Sequence, residues 1–91
     1  MVEIFEMDSG AKMIAISIEK GQLDSTRVLI FIDHESKVVF LWRGNKADLF
    51  KKLMGTRDAA KLSHEYPKYR IRPIAEGSEP AAFLDLAGIR R

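Results

Sequence analysis

The sequence predicts an α+β domain: a sheet of about five strands, mixed but mainly antiparallel, sandwiched between one long and one short helix in the order β-β-β-β-α-β-α. Three observations carry this reading. Apolar runs of strand length fill the chain up to Trp42, a helical periodicity occupies residues 47–64, and a shorter strand-then-helix pattern ends near Gly88.

Residues 2–7 read as the first strand, and Asp8-Ser9-Gly10 supplies turn chemistry. Residues 12–18 form the second, with Ile14, Ile16 and Ile18 on one face and Met13, Ala15 and Ser17 on the other, so the two should pair as a hairpin. Val28-Leu29-Ile30-Phe31-Ile32 is continuously apolar, as a strand covered on both sides should be. Asp33-His34-Glu35-Ser36 turns it back into residues 37–42. There Val38, Phe40 and Trp42 alternate with Val39 and Leu41, and both sets are apolar, which marks a central strand.

After Gly44 the period changes. Asn45 is the expected N-cap of the long helix, with Asp48 three residues on, where a carboxylate suits the helix dipole. Gly55 and Ala59 lie one turn apart, and Leu62 and Tyr66 continue that row as the face against the sheet. A break at Gly55, with a second helix starting at Thr56, is the competing reading. Tyr66-Pro67 stops the helix. Residues 68–74 then alternate Lys68, Arg70 and Arg72 with Tyr69 and Ile71, a half-exposed strand that Pro73 places at a sheet edge. Ser78 is the expected cap of a short helix over residues 79–86, with Pro80 in its first turn and Gly88 just past its end. No linker, repeat or low-complexity run interrupts the chain, so residues 1–91 are read as a single domain.

Composition narrows the function classes. The chain is 46% hydrophobic and 31% charged, which separates it from disordered sequences. No apolar run approaches the ~18 residues that span a bilayer, and the start lacks the basic segment of a signal peptide, so a cytoplasmic protein with no membrane span is expected. Without cysteine there are no disulfides or thiolate metal sites. Basic residues crowd the second half, from Lys37 to Arg72, but the net charge is only +2, which predicts no specific nucleic-acid binding. His34 and His64 have no nucleophile or carboxylate in a catalytic pattern, and no phosphate-binding glycine loop or metal-spaced histidine set occurs. An enzyme is not indicated.

Three stretches carry a family resemblance. Phe40-Leu41-Trp42-Arg43-Gly44-Asn45-Lys46-Ala47 resembles the strand-turn-helix signature of gelsolin-homology domains, the module of the gelsolin and villin actin regulators. Ala75-Glu76-Gly77-Ser78-Glu79-Pro80-Ala81-Ala82-Phe83 is similar to the family's glycine, acidic, proline and aromatic ending, and Leu23-Asp24-Ser25 precedes an apolar strand ending at Asp33 as it does there. The resemblance implies a gelsolin/cofilin-like fold and a module that regulates actin assembly, by monomer sequestration or filament-end capping, through its long helix. With Gly55, Ala59 and Leu62 inward, the implied actin-binding residues are Leu49, Leu53, Arg57, Ala60, Lys61 and His64, with Phe50 and Met54 at the border. The rival register rotates this more apolar arc onto the sheet. Other readings of an exposed stripe are a further gelsolin-like domain, a second copy, a non-actin scaffold role, or weak binding of anionic polymers.

Calcium marks a departure from the family. The carboxylates that the resemblance implies for a calcium ion fall here on Arg27 (or on Val28, with a one-residue shift) and Lys51. No cofactor is therefore expected, and Asp24 and Asp48 are the alternative ligands for a relocated ion.

Overall fold

The computed structural model describes residues 2–8, 10, 12–17 and 23–88. Val2–Met7 (β1), Met13–Ile16 (β2), Val28–Asp33 (β3), Val38–Arg43 (β4) and Arg70–Ala75 (β5) form one sheet in the order β2-β1-β3-β4-β5, with Leu49–Glu65 (α1) and Ala81–Ala87 (α2) as its helices. The β1/β2, β1/β3 and β3/β4 pairs are antiparallel. β4 and β5 are parallel because α1 crosses between them, so the sheet is mixed. β3 is the middle strand, and β4, paired with β3 on one side and β5 on the other and buried on both faces, is the interior strand its apolar run predicts.

Strand alternation divides the core into two layers. Met7, Val28, Ile30, Ile32, Val39 and Leu41 meet Ala59 and Leu62 of α1. Leu29, Phe31, Phe40, Trp42 and Ile74 meet Phe83 and Ala87 of α2 on the opposite face. The Phe83 ring stands edge-on to Phe31 at 5.0 Å and to Phe40 at 5.5 Å, a geometry that aligns ring edge with ring face. Phe40 and Trp42 are core residues.

Several boundaries differ from the sequence reading, each for a local reason. α1 starts at Leu49 and its N-cap is Asp48, whose carboxylate accepts the Lys51 N–H at 2.7 Å; Asn45 lies in the preceding turn. α2 starts at Ala81 with Pro80 as N-cap and no side-chain cap, so Ser78 does not fill that role. The N–H of Gly88, which takes the left-handed conformation with φ 76°, closes the C-terminus on Asp85 and Leu84 carbonyls. Lys37 belongs to the turn, at φ 58°, rather than to β4. β5 begins at Arg70 and sits at the sheet edge that Pro73 predicts. β2 is short and ends at Ile16; Ile18 lies outside the described residues, and Ile14, on this edge strand, is 47% exposed. α1 continues unbroken through Gly55.

Candidate functional site

Gly55 fixes how α1 lies on the sheet. A Cβ there would stand 2.7 Å from Val28 Cγ1 and 3.3 Å from Leu41 Cδ1, so only glycine lets the helix backbone come this close to β3 and β4. With Gly55, Ala59 and Leu62 buried, 3.6 residues per turn place Leu49, Leu53, Arg57, Ala60, Lys61 and His64 on the opposite arc of the helix, spanning about 120°. All six are exposed. Leu49 is 70%, Leu53 57% and Phe50 55% exposed, so the N-terminal half of the arc is an apolar patch of three large side chains. Arg57, Lys61 and His64 make its distal half polar and basic, and Met54, half-buried, packs back onto the core. The rotated register, which would bury this arc, is not adopted.

The start of α1 is held by bonds that reach far along the chain. Between β4 and Asp48, the Gly44 N–H donates to the Arg27 carbonyl (2.9 Å), Lys46 N–H to the Ser25 carbonyl (2.9 Å), and Ala47 N–H to the Gly44 carbonyl (3.1 Å). The Asn45 N–H donates to Glu76 Oε1 at 2.8 Å, and the Ser25 hydroxyl donates to Glu76 Oε2 at 2.6 Å. The Ser25 hydroxyl and then the Asn45 N–H hold the Glu76 carboxyl below its ordinary range. A Cβ on Gly44 would lie 2.1 Å from the Ser25 carbonyl oxygen, which explains a glycine at the join. The Trp42 indole N–H donates to Glu79 Oε2 at 3.0 Å and the Gly77 N–H to Glu79 Oε1 at 3.1 Å. The two stretches around Trp42 and Glu79 thus interlock in space.

A second polar cluster lies at the other end of the sheet. His34 Nε2 lies 2.5 Å from the Glu3 carboxylate, and its Nδ1 is hydrogen-bonded to the Tyr69 hydroxyl at 2.7 Å. Tyr66 and Tyr69 stack at 4.7 Å beside it. These partners bind β1, the turn after β3 and the segment after α1 together. His64, exposed on α1, is not part of that cluster. Sequence reading missed Glu3, Tyr69, Ser25 and Glu76 as interacting residues, since each bond spans at least 31 positions, as Asn45 to Glu76 does.

The residues do not fit a calcium ion at the position the resemblance implies. Arg27 directs its guanidinium to Glu6 at 3.4 Å, and Lys51 brings a second cation. Asp24 accepts the Thr26 N–H and hydroxyl, which lower its carboxyl below the ordinary range, and Asp48 is engaged as the helix cap. Among the described residues no three His, Asp or Glu side chains cluster in a way that could hold a metal. No helix among them is long and apolar enough to cross a membrane.

No protein-family model matches the chain, and no curated protein matches it. Among solved structures it is similar to ProGel of Thorarchaeota, crystallised as a complex with rabbit actin: 67% identity and TM-score 0.90, over 97% of this chain and 100% of that one. It also resembles 2DGel3 of Thorarchaeota, likewise crystallised with rabbit actin, at 22% identity and TM-score 0.77, over 98% of this chain and 45% of that one. The second likeness is one of fold.

Proposed function

The chain belongs to the gelsolin-homology family, and from that premise we propose that it is an actin-binding module that grips its partner with the outward arc of α1. The observation that carries the reading is the exposed patch of Leu49, Phe50 and Leu53 beside Arg57 and Lys61 on a helix whose other face is fixed by Gly55. Large apolar side chains held on a rigid helix supply binding energy at low ordering cost, and a basic rim favours an acidic surround. Leu49 and Leu53 are the anchors; Arg57, Lys61 and His64 form the rim, with Ala60 leaving room between them. A single site of this kind suits monomer sequestration or filament-end capping, whereas severing needs a second, linked site. The role is one of binding, not catalysis, in a soluble cytoskeletal setting.

Actin assembly followed by pelleting and by a monomer-assembly assay tests the reading. The wild-type chain should slow assembly. The variant carrying Leu53→Asp and Arg57→Ala should melt at nearly the same temperature, since both positions are exposed. It should bind about 30- to 1000-fold more weakly, the equivalent of about 2–4 kcal/mol. A folded variant that inhibits assembly as the wild type does would remove α1 from the interface.

A further inference from the structure

The segment that joins β4 to α1 has every backbone N–H from Gly44 to Ala47 engaged, and one of the four is satisfied by a side chain from another part of the chain. That side chain is Glu76, in the turn after β5. One oxygen holds Asn45 and the other holds Ser25, so a single carboxylate ties the lead-in to β3, the entry to α1 and the turn before α2. The Glu76 N–H also donates to the Arg43 carbonyl at 3.1 Å, which keeps the carboxylate over the join. Leu49 and Phe50, the first two residues of α1 and both exposed, begin just four residues after Asn45.

We propose that Glu76 is a positioning residue for partner binding: its two hydrogen bonds preset the entry of α1, so that Leu49 and Phe50 meet the partner without first being ordered. This rests on the α1 binding reading above. The Asn45 bond is exposed and the Ser25 bond part-buried, so water can take over at least the first when Glu76 is removed, and the fold should survive. What is lost is preorganisation, and the partner must then order the entry segment at the cost of part of its affinity.

Glutamine separates positioning from charge. Its amide oxygen can accept the Asn45 N–H and its amide NH₂ can donate to Ser25 Oγ, so the clamp closes without a carboxylate. Titration of monomeric actin with wild type, Glu76→Ala, Glu76→Gln and Ser25→Ala, alongside thermal melts and amide exchange at Asn45 and Lys46, provides the test. Glu76→Ala should bind about three- to tenfold more weakly, with faster exchange at Asn45, the scale expected for one or two groups newly ordered on binding. Glu76→Gln should lie within about twofold of wild type, and Ser25→Ala, which opens one arm, should fall between. If Glu76→Ala proves unfolded, the Ser25→Ala result decides: unchanged affinity in that variant overturns the proposal. Wild-type affinity in a folded Glu76→Ala also overturns it, as does Glu76→Gln weakened as much as Glu76→Ala, which would make the carboxylate a direct contact. A wild-type chain that fails to bind actin sinks the α1 reading itself, a result distinct from either.

Discussion

Three carboxylates of this protein are defined by what donates to them. Ser25 and Asn45 hold the Glu76 carboxyl below its ordinary 4.5, Ser36 holds Asp33 below 3.8, and the Thr26 N–H and hydroxyl do the same for Asp24. In each case the unfolded chain takes up a proton at higher pH than the folded one. The stability these groups supply is therefore complete above their ordinary values and is lost as pH falls through the lowered folded ones. For Glu76 this gives a measurable outcome. The difference in melting temperature between wild type and Glu76→Ala should be constant from neutral pH down to about 5 and shrink below the ordinary 4.5 of a glutamate. Melts in a buffer series from neutral to acid pH check it, and a gap that widens on acidification would show that the ionised carboxylate is not the stabilising form.

At the scale of the element, α1 is the helix whose two faces do different things. Its inner row is set by steric limits: Gly55 against Val28 and Leu41, then Ala59 and Leu62 in the core. Gly55→Leu should destabilise at the upper end of the about 1–3 kcal/mol that overpacking costs, despite a gain in helix propensity. For a domain of this size that lowers the melting temperature by roughly 12–24 °C, whereas Leu53→Asp on the outer arc should leave it nearly unchanged. The inner row could be read from the sequence because a helix that touches a sheet this closely needs small residues at one-turn spacing, and Gly55 with Ala59 supplies them. The same holds for β3 and β4, whose two-sided apolar runs announce burial on both faces. The helix start could not be read that way. Asn45 has the right chemistry for a cap, yet it lies in a turn in which the Ala47 N–H bonds back to the Gly44 carbonyl; the helix begins at Leu49, and the cap passes to Asp48. Ser78 fails as a cap because Pro80, already extended at ψ 156°, takes that place. Nor does any local pattern announce that His34 joins Glu3 and Tyr69, because nothing in a turn sequence specifies partners 31 and 35 positions distant.

Across the whole molecule, the entry of α1 is tied to the lead-in to β3 and to the turn after β5 by hydrogen bonds to Arg27, Ser25 and Glu76. The resemblance places an ion between the start of the strand now identified as β3 and the first turns of α1. Here Arg27 at that strand start pairs with Glu6 on β1, and Lys51 adds positive charge on the helix. An ion entering between them would meet two like charges, while Asp24 Oδ1 accepts from Thr26 and Asp48 Oδ1 from the Lys51 N–H. Millimolar calcium should accordingly leave the melting temperature within about 1 °C of its value in chelator, and actin binding unchanged. The comparison is sensitive: a ligand at 100 times its Kd adds about 2.7 kcal/mol, which for a domain of this size is roughly 11–22 °C. A shift of that order, abolished by Asp24→Ala or Asp48→Ala, would show that one of these carboxylates gives up its present bond to hold an ion, and that the hydrogen-bonded entry is one of two states of the domain rather than its resting form.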